Sequence, residues 1–375
     1  MSGQMLGNDA VSSLIRAGSR EPGAEHLTAP GGFAWYYLDI LTPDGDGLVL
    51  IWAYGLPFLP GYAAASRRGR GERPLARPSL NLATYRRGRP DLYLLQELPE
   101  EPAAPGTGPL MMGGSSLRTG NRNGERSVEV RIDTGIPGTR ERLRGTVRLS
   151  GPAIRMDAGN DMPSAHLWSP LSAPAEAEAE LTLGARTVAR LRGRGYHDCN
   201  ASTLPLDSLG IDRWSWGRVP LSDREMVYYL LWPEGGEAPE CLGYVFRSDG
   251  AVEAVPEVTV EAGRPRRTPG GLRFPESLSM RSEGRPWLEI AHRRPAEWGP
   301  FYLRMMTDAR CASGERGLGW AEWCRPERVD LARHRPLVRM RVHRTRGRNS
   351  IWLPLFTGPR KGRVRRFVAN LTGAA

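Results

Sequence analysis

Lysine is almost missing from this chain of 375 residues. Lys361 is the only one among 52 basic side chains, so arginine carries nearly all of a formal net charge of +11. In a chain also rich in alanine, glycine and proline, that preference reads as compositional bias as much as function. No DNA- or RNA-reading motif accompanies it, and no nucleic-acid partner is expected. Cysteine is scarce too. Cys199, Cys241, Cys311 and Cys324 lie far apart with no Cys-x-x-Cys pair. Neither a zinc site nor a disulfide framework is expected, and a reducing cytoplasm fits. No P-loop, dinucleotide fingerprint, His-Glu-x-x-His or Gly-x-Ser-x-Gly sequence occurs. These gaps argue against nucleotide use, hydride transfer and serine-based acyl transfer; chemistry without a cofactor, or plain ligand binding, remains. The start of the chain lacks a basic segment followed by an apolar one, so no secretory leader is expected. One long uncharged run exists, residues 47–65, which approaches the length of a bilayer span. Gly55, Pro57, Pro60 and Gly61 break it as a helix. It reads instead as a buried strand, 48–54, followed by an irregular apolar loop suited to a greasy entrance or a membrane face.

What is present points to β structure. With 45 glycines and 32 prolines, few long helical patterns survive, and short strands joined by turns are favoured. Residues 33–41 and 48–54 read as one hairpin, 80–85 and 92–97 as a second. Residues 127–133 alternate, with Val128, Val130 and Ile132 on one face. Further strands are expected at 145–149, 179–192, 226–233, 241–246 and 337–343, the last with Arg339, Arg341 and His343 outward. Length and pattern fit a mainly β protein of two antiparallel barrels or sandwiches packed side by side. The expected divisions are an unordered segment 1–27, β domains at 28–185 and 186–345, and a basic, aromatic tail at 346–375. Such a tail suits an interfacial contact with a membrane.

The stretch 165–218 carries most of the chemistry. It holds His166-Leu167-Trp168, then Tyr196-His197-Asp198-Cys199-Asn200, then Trp214-Ser215-Trp216-Gly217-Arg218. In a strand, residues two apart face the same side. His166 with Trp168, and Tyr196 with Asp198, would then meet in one pocket if their strands are neighbours. An acid buried among aromatic rings stays protonated and donates near neutral pH, and ring faces stabilise the cation so formed. That combination suits protonation of an unactivated alkene. The same residues also fit ordinary half-buried aromatics with hydrogen-bonded polar tips.

These residues have a family likeness. Gly32-Phe33-Ala34-Trp35-Tyr36-Tyr37-Leu38-Asp39, Ser79 to Tyr85, the three motifs above and Gly319-Trp320-Ala321-Glu322 together resemble the carotenoid 1,2-hydratases, also called hydroxyneurosporene synthases. The likeness extends more distantly to lipocalin-like proteins that include AttH and some pericyclic cyclases. It covers most of residues 30–330, with departures at Tyr36, at residues 55–62 and at Ser202. The resemblance implies two lipocalin-like β domains and addition of water, with no cofactor and no metal, across the terminal double bond of acyclic carotenoids such as neurosporene or lycopene. It implies Asp198 as proton donor, His166 and Tyr196 as residues that orient the acid or the water, and Trp168 as stabiliser of the carbocation. Trp35, Tyr37, Asp39, Asn200, Trp216 and Glu322 are the expected substrate contacts. A non-catalytic lipid or pigment binder, or a terpenoid cyclase of the same fold, are the alternatives.

Overall fold

All nine residues of the strand Phe33–Leu41 are buried, because its two faces serve different cores. Phe33, Trp35 and Tyr37 join one hydrophobic cluster; Ala34, Tyr36, Leu38 and Ile40 join another. The computed structural model describes residues 12–99, 108–156, 165–344 and 347–372. It is mainly β, built on two large sheets.

Each sheet follows one plan. In the first, the meander of Phe33–Leu41, Gly47–Tyr54, Pro78–Arg86 and Arg89–Glu97 lies beside a second meander that ends in His166–Leu183 and Arg186–Ser202. The join is antiparallel pairing of the first strand, Phe33–Leu41, with the last, Arg186–Ser202. In the second sheet, Ile211–Pro220 opens the chain path and Arg316–Cys324 closes it, and these two again pair antiparallel. The first and last long strands thus meet in the middle of each sheet. One cluster packs on the far side of the first sheet, another on the far side of the second, and a third lies between the two. That third core holds Tyr37, Trp168 and Tyr196 from one sheet and Trp214, Trp216 and Tyr229 from the other. Alternation sorts the strand side chains between the cores.

The two hairpins expected in the first hundred residues form at Phe33–Leu41 with Gly47–Tyr54 and at Pro78–Arg86 with Arg89–Glu97. Uncharged residues 47–65 become a strand, then a loop, then the short helix Tyr62–Arg67. Gly55 (φ 83°) and Gly61 (φ 97°) hold left-handed backbone at the two ends of that loop, which only glycine adopts without a Cβ penalty.

Four expectations are corrected. The strand placed at 179–192 is a hairpin, His166–Leu183 and Arg186–Ser202, turning at Gly184 (φ 56°). The boundary drawn between 185 and 186 therefore falls inside the first sheet, and the chain crosses to the second over residues 203–210. Of the segment 1–27, residues 12–27 are built in: Arg16–Ala17 pairs in parallel with His166–Leu183, and Ala24–Thr28 is helical. Residues 1–11 lie outside the described residues. At 337–343 the alternation misleads, because Pro336 sits in the first turn of a short helix, Arg335–Arg339, for which its fixed φ is suited. Arg341 and His343 are half-buried there rather than outward. The basic tail returns to the first sheet, where Gly358–Pro359 pairs with Arg89–Glu97.

Candidate active site

Strand register assembles the two sequence pairs. His166–Leu183 and Arg186–Ser202 are neighbours, with Trp168 opposite Asn200 and Pro170 opposite Asp198. The side chains of His166, Trp168, Tyr196 and Asp198 converge between the sheets. Asp198 Oδ2 accepts from Trp168 Nε1 at 2.9 Å and from the Tyr196 hydroxyl at 3.0 Å. Asp198 Oδ1 accepts from Asn200 Nδ2 at 3.3 Å. Asn200 Oδ1 in turn lies 3.1 Å from His166 Nε2. With the amide turned that way, the imidazole must donate from Nε2. His166, 0% exposed, has its pKa lowered to about 4 by burial, the Asn200 bond opposing, so it is a neutral ring that steers Asn200.

Burial pushes the Asp198 pKa up to about 8, against the opposing bonds from Trp168 and Tyr196, with Glu322 and Asp39 adding to the rise. Two effects compete here. Desolvation keeps the acid protonated at neutral pH, while three donors stand ready to stabilise the carboxylate once the proton leaves. Oδ2 already takes two short donor contacts. The transferable proton therefore belongs on Oδ1, whose single contact is long.

Asp198 sits in the wall of an aromatic cavity of about 170 Å³ between the sheets. Trp35, Tyr37, Asn200, Trp216 and Glu322, the expected substrate contacts, also line it. So do Trp214, from the third sequence motif, and Phe58, Tyr229, Phe301 and Tyr302, which sequence reasoning did not select. Phe58 comes from the loop after Gly55; its ring stacks on Phe301 at 5.7 Å. The apolar, uncharged character of residues 47–65 was the signal for it.

Four expected residues do not line the cavity: His166, Trp168, Tyr196 and Asp39. Trp168, 0% exposed, lies behind the acid, its ring packed against Tyr229 at 5.4 Å. It grips Asp198 rather than facing the cavity, so the ring faces left to meet a cation are those of Trp216, Tyr37 and Tyr229. Tyr196 likewise serves from behind. Asp39 is not a substrate contact: Arg218 holds both its oxygens and also Glu225, all three fully buried. Arg218, on the second sheet, thereby ties the two sheets together beneath the Tyr196 ring, 5.8 Å away. A second buried arginine, Arg304, was missed. Its Nε and Nη2 donate to Glu322 Oε1 at 3.1 and 3.0 Å, and Nη1 donates to the Tyr85 hydroxyl and Glu297. Tyr302 and Arg304 are two apart on one strand, the same spacing that marked the other pairs.

A family model described as carotenoid hydratase CrtC matches residues 50–351. The hydroxyneurosporene dehydrogenase of Chlorobaculum tepidum is 29% identical over 330 residues, covering 80% of this chain and 83% of that protein. Acyclic carotenoid 1,2-hydratases of Thiocapsa roseopersicina and Rubrivivax gelatinosus are 28% and 26% identical. They cover 78% and 76% of this chain and 69% and 67% of their own lengths. Among solved structures, an AttH-type protein of Nitrosomonas europaea superposes with a TM-score of 0.56 at 12% identity, over 78% of this chain and 92% of that one. CghA with Sch210972 gives 0.50 at 14% identity, over 84% and 96%. At such identity the likeness shows the fold, a lipocalin-like pair of curled sheets. The family match spans both sheets and takes in every member of the acid cluster, and by it the chain belongs to the carotenoid hydratase CrtC family.

Proposed function

We propose that this protein adds one water across the terminal double bond of an acyclic carotenoid, with Asp198 as the proton donor. The observation that carries the reading is Asp198, 3% exposed, held by three donors at the wall of an aromatic cavity. The π electrons take the Oδ1 proton onto the less substituted carbon. A tertiary cation results, and water bonds to it. Trp168, Tyr196 and Asn200 then hold the carboxylate left behind. A cavity of about 170 Å³ is close to one that accepts benzene, so it houses an isoprenoid tip and leaves the rest of the polyene in the mouth. The test is incubation with lycopene followed by mass measurement. A product heavier by one water is expected. Bound but unaltered pigment would favour the non-catalytic binder, and an isomer the cyclase.

The pH profile follows from the acid. Burial raises the Asp198 pKa to about 8, and the protonated form is the active one. kcat/KM is therefore expected to fall roughly tenfold per unit above about pH 8. His166, neutral above about pH 4, adds no step near its usual pKa. Tyr196→Phe removes one donor from the carboxylate, so its falling limb moves to higher pH. A limb that stays in place in this variant would sever Tyr196 from the acid.

Among the described residues no helix is long and apolar enough to cross a membrane. We propose instead that the cavity mouth rests on a bilayer surface, the source of so apolar a substrate. Exposed Trp298 and Leu337 stand at the mouth, and Arg341 lies over the rings of both Trp298 and Phe356, at 5.4 and 5.5 Å. The C-terminal helix Arg363–Thr372 exposes Val364, Val368 and Leu371, spaced along one face, beside Arg363, Arg365 and Arg366. Such a face suits anionic headgroups. Val368→Asp is expected to reduce co-sedimentation with phosphatidylglycerol vesicles several-fold. Unchanged sedimentation would remove the tail from the contact.

A further inference from the structure

An acid that protonates an alkene accounts for half of a hydration. The other half needs a water placed against the cation and a base for the proton that water loses. Asp198 and its partners lie on the first sheet; the Asp198 carboxylate is committed to the carbon it has just protonated, Asn200 and Trp168 cannot accept a proton, and His166 is turned to Asn200. The wall contributed by the second sheet is built differently.

At the middle of that sheet, Trp216 and Glu322 sit directly opposite each other on paired strands. Both line the cavity, so their side chains share one face, and side chains so paired lie within reach of a common small ligand. The Trp216 indole N–H is buried, the residue being 5% exposed, and has no acceptor among the described residues. Glu322 is bound on one side only. Tyr302 and two nitrogens of Arg304 all donate to Oε1. No described residue donates to Oε2, and the side chain keeps 14% exposure. A buried donor without a protein partner is costly, and a water needs two to four polar partners to be held in a cavity. The two groups supply opposite roles, a donor for the water oxygen and an acceptor for one of its hydrogens.

Resting on the reading of Asp198 as the acid, we propose that Trp216 and Glu322 hold the water that captures the cation, and that Glu322 takes its proton. Arg304 and Tyr302 are positioning residues, which pin Oε1 and leave Oε2 toward the cavity. Burial outweighs Arg304 and lifts Glu322 above the ordinary glutamate range, which makes it a better acceptor. The steps balance. The Asp198 O–H bond breaks as the new C–H bond forms. A water lone pair then forms the C–O bond. One O–H bond of the oxonium breaks toward Glu322 Oε2, leaving the alcohol. One proton passing from Glu322 back to Asp198 through water restores the starting state. The alkene tip thus receives hydrogen from one sheet and oxygen from the other.

The experiment is run with lycopene in detergent micelles made up in D2O, on the full chain. Glu322→Gln is expected to lower hydration by about 100-fold or more. It is also expected to go on placing deuterium at the end groups of recovered lycopene, because protonation by Asp198 still occurs and the uncaptured cation collapses back. Glu322→Asp is expected to restore part of the hydration. Trp216→Phe keeps the ring, removes only the N–H, and is expected to cost about tenfold with deuterium uptake retained. Wild-type hydration rates in both Glu322→Gln and Trp216→Phe would overturn the proposal. So would loss of deuterium uptake in step with hydration in a Glu322→Gln protein that melts like the wild type, since that marks a merely structural role. Where Glu322→Gln does not fold, Trp216→Phe decides by the same two readouts. Asp198→Asn separates this proposal from the one beneath it: uptake and hydration undiminished there would sink the acid itself, and with it this inference.

Discussion

Asp198→Asn is expected to lower the hydration rate by about 10²–10⁴-fold, the usual worth of a positioned general acid, while the protein still folds. Asparagine matches the shape of the acid and is neutral, as Asp198 is at pH 7 with its pKa near 8. No buried charge is lost, and the carbonyl oxygen of the new amide accepts from Trp168 and Tyr196 as Oδ2 does. The cost to stability is accordingly on the order of 1 kcal/mol, because the amide then meets the Asn200 NH2 donor to donor. Two measurements check this. Thermal melting tests the fold, and conversion of lycopene to a product heavier by one water tests the chemistry. A folded Asp198→Asn protein that hydrates at the wild-type rate would remove Asp198 from the mechanism.

Loss of Arg218 is expected to do the opposite, damaging stability before chemistry. Arg218, Asp39 and Glu225 are each 0% exposed, and the guanidinium is shared between the two carboxylates. Arg218→Met fills similar space but strands two buried acids. Breaking a buried pair from one side costs about 3–5 kcal/mol. The cost depends on pH, and its sign is fixed by the acids. Burial, more than Arg218 offsets, already raises Glu225 to about 7 and raises Asp39. Without the cation both rise further, so below neutrality the folded variant takes up protons and loses the unpaired charges. The deficit relative to wild type is therefore largest at alkaline pH and shrinks as pH falls. Urea unfolding at pH 8 and pH 5.5 measures it. A deficit below about 1 kcal/mol at pH 8 would mean water reaches the cluster. The exposed Arg190–Glu180 pair gives the contrast, since solvent screens such a contact almost completely.

Much of the acid cluster was legible in the chain because strand geometry is a local rule. His166 with Trp168 and Tyr196 with Asp198 are two apart, and alternation alone turns each pair to one side. The register of one hairpin then brings the pairs together. The same rule was available for Tyr302 and Arg304 and went unused, because an arginine in a charge-rich chain reads as surface until burial is known. Arg304 is 1% exposed. Asp39 shows the reverse error. It belongs to the family motif, yet its partner, Arg218, is 179 positions away, and only the meeting of the two sheets turns a candidate ligand contact into a structural ion pair. Trp168 lies beside the acid, but which end of the indole meets it is a matter of rotamer.

The chain by itself determined the strand alternation, the turns and the set of side chains that could do acid chemistry, since these depend on neighbours along the backbone. It did not determine which sheet Arg186–Ser202 would join, which face of the second sheet would close the cavity, or which charges would lose their water. Those follow from long-range pairing of first and last strands and from burial between two sheets, and burial is what makes an ordinary aspartate hold its proton to about pH 8.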